Sequence, residues 1–334
     1  MKPIKIFTEV TISPSDWKID QHSKILTIGS CFAEVMGTQL DNYKFQVLNN
    51  PLGTVFNPIS ICKILDSALE NRQPNPALYF EDADKIWFHH DFHSSQWATT
   101  KENLEKRLIR KLAEVRDFLS KADVLVITLG TAYAYRHRAA NVVVGNCHKV
   151  PGDRFVKELL HSDQITIPFE QVLHKLRSFR RDLRIILTVS PVRHTKDSLP
   201  LNQVSKATLR LLCHRLSEKF AQAGYFPSYE IMIDELRDYR YYKEDLIHPN
   251  PVAEEYIFRT FADCYINPEA FQFMKEWENL RLLMNHKPQH GYTASQYKIL
   301  ISIKTKLTQL SDRMDVGAEL AEVERRILEF PAIG

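Results

Sequence analysis

Lys24-Ile25-Leu26-Thr27-Ile28-Gly29-Ser30-Cys31-Phe32-Ala33 is the stretch on which the fold turns. Its first five residues read as a strand that stops at Gly29, and the residues from Ser30 onward open a helix. A continuous apolar strand that feeds straight into a helix belongs to a parallel sheet covered on both faces. Asp123 to Thr128, stopping at Gly130, and Arg184 to Val189, stopping at Ser190-Pro191, repeat the pattern. Tyr229 to Ile233 reads as a fourth strand.

Helical patterns lie between these runs. Leu104, Leu108, Leu112, Val115 and Leu119 form one apolar stripe, and Val172, Leu176 and Phe179 mark a second. Val204, Ala207, Leu211, Leu216 and Phe220 mark a third, ending near Gly224. Strands alternating with helices of this length predict a three-layer α/β/α fold with a mainly parallel, flavodoxin-like sheet. Ligands of such folds bind beyond the carboxyl ends of the strands. After residue 265 the pattern becomes purely helical. Asn267-Pro268 starts a helix carrying Phe273, Trp277, Leu280 and Met284 and ending before Pro288. Ser295 to Arg313 and Ala318 to Phe330 continue the pattern. The division expected is an α/β domain over 1–265 and a helical extension over 266–334, packed on the body or used for homo-oligomerisation.

Composition narrows the class. The 334 residues are 44% hydrophobic and 25% charged, which excludes a disordered chain. Lys and Arg number 44 against 41 Asp and Glu, a net charge of +3 that is too small and too evenly spread for a nucleic-acid protein. The five cysteines include no C-x-x-C pair, so neither zinc nor a redox dithiol is expected. The N-terminus lacks a signal-peptide pattern, and no run approaches the roughly 18 apolar residues of a membrane span. A reduced, soluble, cytoplasmic protein is the expectation.

Two pieces carry chemistry. Ser30 follows the first strand at the sheet's carboxyl edge, where its own N–H and those of the helix start face any anion held there. A serine nucleophile needs that exposure and a donor for its oxyanion, and an N-cap serine occupies the same place. Far downstream, Asp245-Leu246-Ile247-His248 puts an Asp three residues before a His, a spacing that orients imidazole through Nδ1 and leaves Nε2 as a base. A loop histidine beside a turn Asp has the same spacing. Cys31 is either a thiol activated at a helix N-terminus or a core-facing structural cysteine, and the alternation at the turn favours the core. His89, His90, Asp91 and His93 read as a solvated loop rather than a metal site, and Asp234 to Asp245 as a solvated loop positioning Asp245.

Gly-Ser after the first strand and D-x-x-H after the last resemble the two ends of the SGNH, or GDSL, serine-esterase pattern. Gly29-Ser30-Cys31-Phe32-Ala33 resembles the GSCFA family in particular. Asn50-Pro51-Leu52-Gly53-Thr54, Asn57-Pro58, Thr128-Leu129-Gly130-Thr131, Asn146-Cys147-His148-Lys149, Ser190-Pro191-Val192-Arg193-His194 and Tyr229-Glu230 extend the likeness over roughly residues 5 to 265. The resemblance implies Ser30 as nucleophile, His248 as base and then acid, and Asp245 as its orienting carboxylate. It implies an oxyanion hole from the Ser30 N–H, the Gly53 N–H and a third-block Asn. That Asn is absent, and Thr131, Asn57 and Asn146 are the residues able to replace it. His148, Arg193 and His194 are candidates to line the pocket, with Arg193 holding an anionic group or a surface salt bridge. The implied activity is hydrolysis or transfer of an acyl group, on a small-molecule or glycan ester, with no cofactor. The competing class is a binding or scaffold protein on the same fold.

Overall fold

The computed structural model describes residues 8–286, 293–312 and 314–330. Pro288 and Arg313, placed at helix ends by the sequence pattern, lie outside the described residues. In chain order the elements are β1 (Lys24–Gly29), α1 (Cys31–Asn42), β2 (Gln46–Asn49), α2 (Pro58–Leu69), β3 (Tyr79–Glu81), β4 (Trp87–His89), α3 (Lys101–Leu119), β5 (Val124–Leu129), β6 (Tyr133–His137), β7 (Val142–Val144) and β8 (Phe155–Leu159). They continue with α4 (Ser162–Phe179), β9 (Arg184–Val189), α5 (Leu199–Lys219), β10 (Ala223–Phe226), α6 (Ser228–Glu230), α7 (Pro251–Tyr265), α8 (Pro268–Asn285), α9 (Ala294–Leu310) and α10 (Gly317–Leu328).

The central sheet has five strands in the order β10-β9-β5-β1-β2, every neighbouring pair parallel. Taking those strands by chain order gives the flavodoxin-like 2-1-3-4-5 arrangement. Side chains alternate across it. Leu26, Ile28, Leu125, Ile127, Ile185 and Leu187 pack with α2, α3, α4 and α5 on one face. Ile25, Val124, Val126 and Ile186 pack with α1 and α7 on the other. This period-two alternation turns continuous apolar runs into a three-layer sandwich. Two small antiparallel sheets, β3-β4 and β7-β6-β8, decorate the carboxyl end, and the sequence reading contains neither.

The predicted β1, β5 and β9 and the α3 stripe stand as expected, the stripe fully buried. Two expectations fail for definite reasons. Tyr229 to Ile233 is no strand: the edge strand is β10, Pro227 ends it, and α6 runs on as a π-helical turn over Ile231–Glu235. A short buried apolar run suits either element by pattern alone. On α5, Val204 and Leu211 face solvent, and the inward face is Asn202, Ser205, Lys206, Leu209, Leu212, Cys213 and Leu216. That helix carries its polar residues inward at its first turns, over the sheet's carboxyl edge.

The C-terminal helices share the core of the α1 face: Phe273, Trp277, Leu280, Leu300, Ile303, Leu307 and Val323 join one cluster with Phe32, Met36 and Leu40. Trp277 is 1% exposed, and its indole N–H donates to the Asn42 carbonyl at 2.8 Å. Among the described residues no helix is long and apolar enough to cross a membrane. Because Trp277 fills a core common to tail and body, Trp277→Ala should destabilise the whole chain by about 3–5 kcal/mol. Urea unfolding followed by fluorescence and circular dichroism should give coincident transitions at a lower midpoint; a tail that melts separately, with the body's midpoint unmoved, would contradict it.

Candidate active site

The carboxyl edge is assembled by backbone hydrogen bonds. Gly29 adopts φ +131°, where an added Cβ would collide with the Thr128 carbonyl. The Ser30 N–H donates to that same carbonyl at 2.9 Å, and Val55 N–H donates to Gly29 O at 2.8 Å. Phe56 O accepts from Gly130 and Thr131, so the loop after β2 lies across the ends of β1 and β5. Ser30 is the N-cap of α1: Oγ accepts from the Phe32 N–H at 3.3 Å, and the residue is 0% exposed.

This reverses the expected turn. Ser30 points inward with its N–H already used, whereas Cys31, the first helical residue, is partly exposed. The N-cap geometry is the reason, since a capping side chain folds back over the first turn of its own helix. Burial raises the Cys31 thiol pKa above its ordinary value, while Lys206 and the N–H groups of Phe32 and Cys31 pull it back down.

Across the edge, Asp245 and His248 form the expected pair. Asp245 Oδ2 lies 2.7 Å from His248 Nδ1, and Asp245 Oδ1 accepts the N–H groups of Ile247 and His248. These two N–H groups, then the imidazole, hold the Asp245 carboxyl far below the usual carboxylate range. An ionised Asp245 fixes the proton on Nδ1, an assignment made from the hydrogen-bond network. His248 is half-exposed, and Nε2 makes no hydrogen bond within the described residues, to Ser30 or otherwise.

Arg193 ties this loop to the strand edge. Its Nε and Nη2 donate to Leu246 O at 3.1 and 2.6 Å, and its N–H donates to Ile247 O. The guanidinium lies 5.5 and 4.5 Å from the ring centroids of Tyr239 and Tyr242. Arg193 therefore braces the Asp245–His248 loop, and among the described residues no carboxylate pairs with it. Tyr239 and Tyr242, of the Asp234 to Asp245 run, are the walls of that brace.

The expected oxyanion donors are engaged elsewhere. The Gly53 N–H donates to Asn50 O at 2.8 Å, and at φ +77° the place of a Cβ is filled by the His93 side chain. Thr131 Oγ1 pairs with Ser205 Oγ and accepts from Tyr133 N–H. Asn57 caps α2 and donates to Val144 O, and Asn146 accepts from the His148 N–H and donates to Ser94. Two residues that the sequence reading passed over stand closer to the turn. Asn50 accepts the Gly29 N–H through Oδ1 at 3.2 Å, is 6% exposed, and its Nδ2 has no acceptor among the described residues. Lys206 is 1% exposed, and its ammonium donates to Gly130 O at 2.8 Å and Ser190 O at 2.7 Å. Among the described residues no carboxylate pairs with it, and the ionisable group that favours its charge is the Cys31 thiol. No local signal marks Lys206, which stands among Asn202, Gln203, Ser205 and Thr208 on α5.

The histidines form a neutral wall. His89, His90 and Asp91 are buried, not a solvated loop: His89 Nε2 pairs with Asn75 O, His90 Nδ1 with Asn146 O, and Asp91 with Lys63. Burial lowers the pKa of His89 to about 3 and of His148 to about 4. His148 Nε2 pairs with His89 O, which makes it part of that wall. His194 packs edge-on to Phe56, and burial, then Lys206 and His248, lower it to about 3. No group of three or more His, Cys, Asp or Glu among the described residues is arranged to hold a metal ion.

Sequence profiles agree with the likeness read in the motifs. The profile described as the GSCFA family matches residues 24–261, and that of the GSCFA domain protein C-terminal domain matches residues 277–329. The chain belongs to the GSCFA family. No curated protein matches it. Among solved structures, a Streptococcus pneumonia protein provisionally described as a platelet activating factor is 12% identical, with a TM-score of 0.39 over 72% of this chain and 83% of that one. A carbohydrate esterase family 3 protein from Talaromyces cellulolyticus is 10% identical, with a TM-score of 0.36 over 76% of this chain and 99% of that one. Likenesses this loose leave the site of this GSCFA protein to be argued from its own residues.

Lys206 gives the edge a measurable signature. Burial lowers its pKa from 10.5 to about 7. Between those values the unfolded chain binds the extra proton, so this residue makes stability rise with pH, by up to about 1.4 kcal/mol per pH unit. Lys206→Met removes that component, so the stability difference between wild type and variant should move in favour of wild type from pH 7 to 9. Urea unfolding at four pH values checks this; a pH-independent difference would refute it.

Proposed function

We propose that this GSCFA protein is an acyl-ester hydrolase or acyl transferase of the SGNH/GDSL type, working at the carboxyl edge of the sheet. His248 is the general base and then acid, Asp245 orients it, and the nucleophile stands on the Gly29-Ser30-Cys31 turn. The observation that carries the reading is the 2.7 Å contact between His248 Nδ1 and the ionised Asp245, which leaves a half-exposed Nε2 as proton acceptor. In the serine form, Ser30 Oγ attacks the acyl carbonyl and His248 passes its proton to the leaving alcohol. Water then hydrolyses acyl-Ser30 by the reverse route. That form requires Ser30 to give up its cap on Phe32, worth about 1 kcal/mol, and to turn out of the core. None of these steps calls for a metal or an organic cofactor. A small acyl ester, an acylated carbohydrate foremost, is the substrate class that the family resemblance supports.

A second reading, a binding or scaffold protein without chemistry, is favoured by one observation. The Ser30 and Gly53 N–H groups both bond internally, and Ser30 has no exposed surface. Leu282 and Leu328, exposed on the tail, would then serve partners or a second copy.

Turnover of p-nitrophenyl acetate separates the two. His248→Gln and Asp245→Asn should each lower kcat by about 10²–10⁴ with the thermal midpoint unchanged. Fluorophosphonate labelling mapped to Ser30 would support the serine form. No turnover by folded wild type, or turnover at the wild-type rate in both variants, would leave the binding reading.

A further inference from the structure

We infer that the nucleophile of this site is the Cys31 thiol, so that the covalent intermediate is a thioester. The inference rests on the hydrolase reading above and names the attacking atom within it.

Three independent observations converge on Sγ. On the turn that the motif defines, Cys31 reaches solvent and Ser30 does not, and the Ser30 N–H and Oγ are both spent on local hydrogen bonds. Lys206 is a fully buried lysine with no carboxylate partner among the described residues. Burial favours its neutral form, and the Cys31 thiol is the ionisable neighbour that favours its charge, so a thiolate formed at Cys31 and a proton on Lys206 stabilise each other. Finally, the Phe32 and Cys31 N–H groups at the start of α1 act on the thiol, and Asn50 Nδ2 beside Gly29 is a buried donor without an acceptor. The Phe32 N–H is engaged by Ser30 Oγ, but the Asn50 amide, left uncommitted in such a place, suits an oxyanion that exists only during the reaction.

The chemistry balances without a further reactant. The thiol gives its proton to His248 Nε2 as Sγ bonds to the acyl carbon. The carbon–oxygen bond to the alcohol breaks, and the alcohol leaves with that proton. Water then adds to the thioester while His248 takes a proton from it. The carbon–sulfur bond breaks, the acid departs, and the proton returns to Sγ. Because burial raises the thiol pKa, Cys31 rests as a thiol at neutral pH and depends on His248 for its activation.

The experiment is an acid-quenched reaction of the full-length chain with p-nitrophenyl acetate. The site of acetylation is mapped by mass spectrometry before and after neutral hydroxylamine, which cleaves thioesters and spares oxygen esters. The expected result is acetyl on Cys31, removed by hydroxylamine, and turnover reduced at least 100-fold in Cys31→Ala. Iodoacetamide should alkylate Cys31 in the wild type and abolish turnover. Acetyl on Ser30, or Cys31→Ala turning over at the wild-type rate, would overturn the inference and leave the hydrolase reading standing. Absence of turnover and of any acetyl adduct in folded wild type would bring down both.

Discussion

A buried ammonium holds the working edge of this protein together. The carbonyls of Gly130 and Ser190 follow directly on β5 and β9, and Lys206 bonds both. To deliver that charge, α5 must turn a polar face toward the sheet. Its neighbours use the same face: Ser205 accepts the Ala132 N–H at 2.8 Å, and Asn202 accepts the His194 N–H at 2.9 Å. Three polar residues of one helix thus stitch the loop after β5 to the loop after β9, and Val204 and Leu211 are turned to solvent as a consequence. Hydrogen bonds satisfy the ammonium's geometry; they do not cancel its charge.

That uncancelled charge sets the electrostatics around it. His194, nearest in this respect, is held neutral by burial and by Lys206 itself, and the His89–His148 wall is neutral as well. The ionised Asp245 sits on an exposed loop and is already occupied by two N–H groups and the imidazole. Negative charge developing at the β1–α1 turn would therefore favour the protonated form of Lys206 in a low-dielectric setting, where such an interaction is worth most. His248 and Lys206 have separate supports: Arg193 braces the loop of the former, and α5 carries the latter.

The legible parts of the molecule are those determined by neighbours in sequence. β1, β5 and β9 are apolar enough on both faces to be read directly, and the α3 stripe repeats at helical spacing. The Asp245–His248 pair was legible because its geometry is set within four residues. β2, with partly exposed residues, and β10, with Gly224 in it, lack that apolar signal and form because β1 and β9 offer them a partner. His89 to Asp91 looks like a solvated run because its partners, Asn75, Asn146 and Lys63 of α2, come from other parts of the chain. Lys206 was hidden by the same cause, since a lysine on a helix reads as surface until the strand ends beneath it are known.

Ser30 and Cys31 show how a motif can be recognised while the facing of its residues is not. Order alone cannot say which of two adjacent residues faces outward from a turn. The backbone decides: Gly29 at φ +131° and the Ser30 N–H on Thr128 O fix the direction in which the chain enters α1. The residue at the boundary then becomes the N-cap, and the next is the first helical residue. Serine is among the best N-caps because its hydroxyl accepts the N–H two residues on, a bond cysteine makes poorly. The capping of Ser30 and the partial exposure of Cys31 are thus a single arrangement, in which the serine closes the helix start and the next residue is left partly exposed.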